Sequence, residues 1–137
     1  MQRVKARLLA RDRINFHNFG AASKSALLRF AASGSATCVA ENGDIEVRVE
    51  PIDKVLDKPP TFIKMDIEGA ELDALEGAKQ TIKIYQPRLA ISVYHNADDL
   101  RRIPELVLSY REDYDLYLRH YTEGVTETVM FFIPRRP

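Results

Sequence analysis

The stretch that decides the fold is TFIKMDIEGAELDAL, residues 61–75. An apolar strand over residues 62–65 leads into Asp66, the chain turns through residues 67–69, and a helix starts at Ala70. An open α/β sheet presents a side chain in this way at the carboxyl edge of a strand, and such folds bind ligands at that edge. The sequence therefore predicts a site around Asp66.

Three acidic residues, Asp66, Glu68 and Glu71, lie in or just before the first turn of the predicted helix. The positive end of the helix dipole stabilises anions at this place. Spacing alone favours a capping role, in which Asp66 or Glu68 binds free backbone amides and Glu71 adds favourable charge. The spacing by itself assigns them no chemistry.

The identities of the residues in the motif, beyond their spacing, add a functional interpretation. Residues 63–71, IKMDIEGAE, followed by LEGA at residues 75–78, resemble the IKiDvEGaE…LkGA signature of the FkbM-type methyltransferases. The resemblance is specific over residues 61–96 and looser towards the C-terminus. It implies an S-adenosylmethionine (SAM)-dependent enzyme with an α/β, Rossmann-like fold, whose mixed sheet ends in an antiparallel hairpin.

Composition excludes several classes of protein. Twenty basic and twenty acidic residues cancel, so no overall field attracts nucleic acid or an anionic membrane. A single cysteine, Cys38, provides no internal disulfide and no cysteine-rich metal site, which suits a reducing compartment. No apolar run reaches membrane-spanning length. We therefore expect a cytoplasmic protein with neither a nucleic-acid nor a membrane partner.

The N-terminal part of the chain predicts several short elements. Met1–Arg11 reads as a basic helix, and residues 14–19 alternate as a strand in which His17 is a packing or surface residue. Residues 26–30 and 45–49 predict an antiparallel hairpin, joined by a long loop over residues 31–44 that contains the Asn42-Gly43 turn signal. One helical turn over residues 52–56 follows, in which we interpret Asp53 as a helix cap rather than a site residue.

After the central strand, the sequence predicts one helix over residues 70–85. Gly77 costs this helix about 1 kcal/mol relative to alanine, which indicates close approach of a neighbouring element. Residues 97–110 predict a second helix with Pro104 inside it, and residues 115–121 and 126–133 predict a closing hairpin. The aromatic residues of this end are interpreted as core: Tyr114, Tyr117, Tyr121, Phe131 and Phe132.

His95 has positional support for chemistry. Residues 88–94, RLAISVY, are almost continuously apolar, as expected of a parallel strand covered on both faces. This strand delivers Tyr94 and His95 to the same edge as Asp66. An imidazole exchanges protons near neutral pH. Two interpretations stay open, since His95 either takes part in the reaction or caps the next helix.

The resemblance implies a division of roles among these residues. Asp66 or His95 is the catalytic group that orients or deprotonates a hydroxyl of a small-molecule acceptor, and Glu68, Gly69, Glu71 and Tyr94 bind the acceptor or shape the site. The cofactor implied is SAM, although the glycine-rich loop that holds it in the family does not occur in these 137 residues. No metal ligand is assigned.

The same absence has a structural consequence. In the family the strand order is 3-2-1-4-5-7-6, and the resemblance covers the chain from the helix before strand three onward. We therefore treat residues 1–137 as a single partial, truncated methyltransferase domain that does not methylate alone. Removing strands one and two exposes an edge on residues 62–65, and we expect residues 14–19 to pair there. A second chain covering that edge, giving a homodimer, is the alternative.

Two other functions stay open. A metal-dependent hydrolase would use Asp66, Glu68 and His95 as ligands, residue types that suit Mg²⁺, Mn²⁺ or Zn²⁺, at a spacing that matches no dedicated motif. A non-catalytic remnant or interaction module would associate through the exposed sheet edge.

Overall fold

A computed structural model describes residues 14–33, 36–39, 45–124 and 126–135. The predicted helix at Met1–Arg11 and the Asn42-Gly43 turn lie outside the described residues. The described part contains two four-stranded sheets and four helices. None of these helices is long and apolar enough to cross a membrane.

The first sheet contains the predicted N-terminal hairpin and two further strands. Its strands are β1 (Gly20–Ala21), β2 (Ala26–Ser33), β3 (Ala36–Val39) and β4 (Ile45–Glu50), in the order β1-β4-β2-β3. The antiparallel pairing of β2 with β4 is confirmed. The prediction of a long loop over residues 31–44 was wrong in part, because β3 pairs with β2 and only two residues separate Ser33 from Ala36. Thr37 and Val39 favour a strand, a signal that the small neighbouring residues obscured.

The strand predicted at residues 14–19 is wrong. The first strand starts at Gly20 and pairs in parallel with β4, and Ile14 and Phe16 are exposed. Just after β1, the amide of Ala22 donates to the carbonyl oxygen of Glu50 at 3.1 Å. The backbone after this stretch is therefore held by β4 and not by the strand that carries Asp66.

The second sheet carries the site. Its strands are β5 (Phe62–Met65), β6 (Arg88–Ser92), β7 (Tyr114–His120) and β8 (Thr128–Pro134), in the order β5-β6-β8-β7. β5 and β6 are parallel, and the β6–β8 and β7–β8 pairs are antiparallel. This order agrees with the 4-5-7-6 part of the family sheet and confirms the closing hairpin. Among the described strands β5 is an edge, so the expected pairing of residues 14–19 with it does not occur.

The helices are α1 (Ile52–Val55), α2 (Glu71–Glu76), α3 (Lys79–Tyr85) and α4 (Asp99–Tyr110). The single helix predicted over residues 70–85 is interrupted, because Asp53 takes over the hydrogen bonds that would continue it. The amide of Asp53 donates to the Gly77 carbonyl oxygen at 2.9 Å, and the Asp53 carboxylate accepts from the Thr81 amide at 2.7 Å. It also accepts from the Gln80 amide at 2.8 Å. Asp53 is a helix cap as predicted, but it caps α3.

The core lies between the second sheet and helices α2, α3 and α4. Its fully buried side chains include Leu75, Ile82, Leu89, Ile91, Ile103, Val107, Tyr114 and Phe132. The expectation of an aromatic core at the C-terminal end is only partly met, because Tyr117 and Tyr121 are exposed. In the β7 strand only the first residue, Tyr114, is buried, and its hydroxyl donates to the Pro87 carbonyl oxygen at 2.7 Å. Pro104 lies inside α4 without ending it.

Candidate active site

Asp66 follows the last residue of β5 and lies at the carboxyl edge of the second sheet. Its Oδ1 accepts hydrogen bonds from the Ser92 hydroxyl at 2.9 Å and the Tyr94 hydroxyl at 3.2 Å. Lys64 Nζ lies 3.5 Å from Oδ2, and about a third of the side chain is exposed, 33%. Capping by Asp66 is therefore not what the structure shows, since its partners are side chains that project from the edge of the sheet.

The surroundings of Asp66 favour its ionised form. Partial burial acts to raise its pKa, but hydrogen bonds from Ser92 and Tyr94 and the charges of Lys64 and His95 outweigh burial, so the pKa lies below its usual range. Asp66 is thus a carboxylate at neutral pH. Burial and the bond to this carboxylate raise the pKa of Tyr94 to about 12, so its hydroxyl keeps its proton and donates.

His95 lies beside Asp66, as the parallel strands predict. Its Nε2 is 3.7 Å from Asp66 Oδ1 and 3.7 Å from Glu68 Oε2, and only 8% of its side chain is exposed. The Tyr94 ring covers it, with the two ring centroids 4.1 Å apart. Nδ1 lies 2.9 Å from Glu71 Oε1. Despite these short distances neither ring nitrogen is aligned for a hydrogen bond.

Glu71 holds the loop backbone, whereas spacing predicted capping by Asp66 or Glu68 and only favourable charge from Glu71; no side-chain hydrogen bond caps the start of α2. The Glu71 side chain is buried, and Oε1 accepts the Ile67 amide at 2.8 Å, which ties the loop after β5 to the first turn of α2. The other oxygen, Oε2, is buried without a hydrogen-bond partner. Glu71 therefore fixes the loop and also reaches the imidazole of His95.

The turn between Asp66 and α2 depends on Gly69. Glu68 and Gly69 both have positive φ, 56° and 93°. A Cβ at Gly69 would lie 3.1 Å from the Asn96 side-chain nitrogen, which itself donates to the Gly69 carbonyl oxygen at 3.3 Å. Only glycine combines this conformation with so close a neighbour. Glu68 is 81% exposed and lies at the mouth of the site.

The loop after β6 is held in the same manner as the loop after β5. The carboxylate of Asp99, a buried residue at the start of α4, accepts the Asn96 amide at 2.8 Å. Asn96 also donates from its side chain to Asp99 at 3.1 Å. Each loop at this edge is thus fixed by an acid in the following helix, and Asn96 joins the two loops through Gly69.

A cavity of about 500 Å³ opens beside these loops. Its lining includes Gly69, Leu72, Asp73, Asn96, Asp99 and Arg102. Arg102 brings a cation to an otherwise acidic rim. The cavity shares Gly69 and Asn96 with the loops that carry the predicted site residues, so a ligand bound there would lie next to that site.

The structure brings together all six residues predicted for the site. Asp66, Glu68, Glu71, Tyr94 and His95 contact one another directly, and Gly69 shapes the turn between them. Their roles in binding or reaction stay predictions.

Sequence reasoning missed three polar contributors: Ser92, Asn96 and Asp99. A hydroxyl near the end of an apolar strand and an acid three residues after Asn96, a capping-box spacing, were the available signals.

Gly20, Gly69 and Gly77 do not form a cradle for SAM. A Cβ on Gly20 would lie 3.1 Å from the Val49 side chain, and a Cβ on Gly77 would lie 1.9 Å from the Ala22 carbonyl oxygen. Gly69 packs on Asn96. Because neighbouring protein atoms fill the space beside these three glycines, they do not leave the gap that a glycine-rich cofactor loop needs, and we derive no step through SAM from them.

Comparison with known proteins agrees with this geometry. Residues 9–122 match the model of the methyltransferase FkbM domain. The crystal structure of methyltransferase FkbM from Methylobacillus flagellatus KT is similar, with a TM-score of 0.79 and 38% sequence identity over 96% of this chain. This chain spans 32% of that protein chain. No curated protein matches the sequence. On the family match over most of its length, the chain belongs to the FkbM methyltransferase family.

Proposed function

We propose that this chain provides the acceptor side of a SAM-dependent O-methyltransferase, with a hydroxyl of a sugar, polyketide or similar small molecule as the acceptor. One observation carries the proposal. Asp66 and His95 come from neighbouring strands and meet at 3.7 Å, with the acid partly open to solvent and the imidazole enclosed. SAM would supply the methyl group, and the residues of this chain act on the acceptor oxygen.

Methyl transfer to a hydroxyl needs a fixed oxygen and a place for its proton. The ionised Asp66 is more accessible to an entering hydroxyl than His95, since 33% of its side chain is exposed against 8% for His95. A hydrogen bond from the hydroxyl to Asp66 orients the oxygen and increases its electron density. Positioning and proton removal of this kind contribute heavily to transfer reactions.

The remaining site residues support these two side chains. Tyr94 donates to Asp66 and stacks on His95, so it fixes both. Glu71 holds the loop and lies against His95, while Glu68 lies where an acceptor enters. Gly69 keeps the turn narrow. We also propose a reducing, cytoplasmic setting, which the single cysteine supports.

The first measurement is calorimetric titration of SAM into the chain. Because the residues of the chain supply no glycine-rich loop, we expect no binding in the micromolar range. Micromolar binding would contradict the assignment of this chain to the acceptor side alone.

The second measurement tests the acceptor side directly. The matching third of the Methylobacillus flagellatus protein is replaced by this chain, and formation of S-adenosylhomocysteine is followed with a panel of sugars and other hydroxyl compounds. We expect acceptor-dependent turnover that falls roughly 10²–10⁴-fold in Asp66→Asn and in His95→Leu, the usual contribution of a positioned proton-transfer group.

The exposed residues Asp57 and His17 provide matched controls, Asp57→Asn and His17→Leu, which keep the turnover of the unmodified chimera. A chimera that binds SAM and turns over equally well with Asp66 or His95 replaced would refute the proposed roles. A chimera that binds SAM but methylates none of the compounds would favour a non-catalytic module.

A further inference from the structure

Three side chains of the site form a cluster with the composition of a metal-binding site. Asp66, Glu71 and His95 each offer one ligand atom, and these atoms all lie within 4.8 Å of one another. Two carboxylates and an imidazole come from two loops and one helix. His95 is distant in sequence from Asp66 and Glu71, so local chain geometry alone does not account for the cluster.

Several buried polar atoms in this cluster lack hydrogen-bond partners. Both ring nitrogens of His95 and the Oε2 atom of Glu71 are buried without an aligned hydrogen bond. A buried polar group left unsatisfied costs roughly 1–3 kcal/mol. His95 has only 8% of its side chain exposed and Glu71 only 1%, so water from the surface does not readily satisfy them. An ion bound between the two residues would be coordinated by one ring nitrogen of His95 and one carboxylate oxygen of Glu71.

The charges around His95 are also out of balance. The carboxylates of Asp66, Glu68 and Glu71 all lie within 3.7 Å of its ring nitrogens. The described cation that contacts this group is Lys64, 3.5 Å from Asp66 and largely exposed. Even with a protonated imidazole, negative charge exceeds positive charge in this cluster. A divalent cation would remove the excess.

We propose that Asp66, Glu71 and His95 bind one divalent cation of the Mn²⁺ or Zn²⁺ type. Carboxylates suit Mn²⁺, imidazole suits Zn²⁺, and both ions accept this mixture of ligands. Donors bound at about 2.1 Å to one ion lie roughly 3–4 Å apart. The cluster therefore closes slightly on binding. Asp66, the most exposed of the three side chains, turns inward by exchanging its hydrogen bonds from Ser92 and Tyr94 for the ion.

Three protein ligands leave at least one position of the ion open. Asp66 and the exposed Glu68 mark the solvent side, so the open position faces the place where an acceptor enters. This role rests on the proposed function. A coordinated hydroxyl gives up its proton to solvent more readily, as bound water does. Asp66 and His95 would then act on the acceptor oxygen through the ion.

Metal binding is measured on the full chain without SAM or acceptor, after dialysis against EDTA. Mn²⁺ is titrated with electron paramagnetic resonance to count bound ions, and Zn²⁺ and Mg²⁺ are titrated by calorimetry. We expect one Mn²⁺ or Zn²⁺ per chain and weaker binding of Mg²⁺. Asp66→Asn and His95→Leu should each lower affinity at least tenfold, since loss of even an outer partner of a ligand costs about 10–100-fold.

His17→Leu and Asp57→Asn serve as controls because both residues are exposed and lie outside the cluster. They should bind the ion as the unmodified chain does. Circular dichroism shows whether each variant is folded. A folded chain that binds none of the three ions at millimolar concentration would overturn the proposal, as would binding unaffected by replacement of Asp66 and His95. Because no methyl transfer is measured, this result is independent of the proposed function.

Discussion

Replacing Gly77 by alanine distinguishes two opposite expectations for the stability of the protein. Gly77 follows α2 with φ near −72°, a conformation that alanine adopts freely, so helix propensity alone predicts that Gly77→Ala stabilises the protein by up to about 1 kcal/mol. The tertiary structure predicts the reverse. The added Cβ would lie 1.9 Å from the Ala22 carbonyl oxygen and 3.2 Å from Pro51 Cα. Both obstacles are backbone atoms, which do not rotate away.

The size of the effect follows from what has to move. Overpacking of a tight site costs about 1–3 kcal/mol. The backbone on either side is fixed, because the Ala22 amide donates to Glu50 and the Gly77 carbonyl oxygen accepts from Asp53. A shift weakens at least one of these bonds, at about 0.5–1.5 kcal/mol each. With mid-range values of about 2 and 1 kcal/mol for these two costs and a propensity gain of about 1 kcal/mol, we expect Gly77→Ala to lower the free energy of unfolding by roughly 2 kcal/mol.

Thermal unfolding followed by circular dichroism measures this change. For a chain of this length 1 kcal/mol corresponds to roughly 3–5 °C, so Tm should fall by roughly 6–10 °C. Gly20→Ala is the comparison, since its Cβ would meet a side-chain atom, Val49 Cγ1, at 3.1 Å and not a backbone atom at 1.9 Å, so Tm should fall less. A Gly77→Ala protein with an unchanged or higher Tm would refute the close approach of Ala22.

Three further predictions concern other contacts. Asp53→Ala should lower the free energy of unfolding by about 1–2 kcal/mol, because α3 loses the cap on two amides, whereas Asp57→Ala should have little effect in the same denaturant titration. The Ser25 hydroxyl, with Arg48 and Lys54, lowers the pKa of Glu50 from 4.5 to about 2. The ionised Glu50 side chain therefore stabilises the folded protein fully above pH 4.5, and this stabilisation is lost as pH falls towards 2. The Tm difference between the wild type and Glu50→Gln should therefore shrink over that range, and a constant difference would contradict the assignment. We also propose that β5 pairs with a second copy of the chain. Phe62→Lys should then reduce the association measured by light scattering, whereas Ile84→Lys, a control at an exposed helical residue, should not. A protein that is monomeric at every concentration would exclude this dimer.

The second sheet was predictable because its signals are local. The apolar run at residues 88–94 predicted a covered parallel strand, and the residues of β6 after Arg88 are buried. The first sheet was less predictable. Whether residues 14–19 form a strand depends on what lies beside them, and the Gly77 contact and the Glu50 bond of Ala22 fix the chain next to β4. Such long-range contacts leave no periodic pattern in the sequence.

Part of the candidate site was also predictable from the sequence and part of it was not. The sequence predicted that Asp66 and His95 share an edge of the sheet. This follows because the carboxyl ends of two parallel strands lead to these two residues. Capping was predicted for Asp66 or Glu68, but no side chain caps α2, because the direction in which each acid turns depends on side-chain rotation. Glu71 turned inward to the Ile67 amide, and Asp66 turned to Ser92. Both directions satisfy an anion near a helix start, so spacing alone could not choose between them.

The contacts that set the site are nearly all contained within residues 62–99. The strands β5 and β6 place Asp66 and His95 side by side, Glu71 and Asp99 fix the two loops, and Asn96 joins them at Gly69. None of these contacts involves the first sheet. A change such as Gly77→Ala, which strains the junction with that sheet, should therefore lower stability while leaving the distance between Asp66 and His95 unchanged. The same independence follows from the build of the edge that carries Asp66 and His95, because its elements are β5, β6 and the helices that follow them.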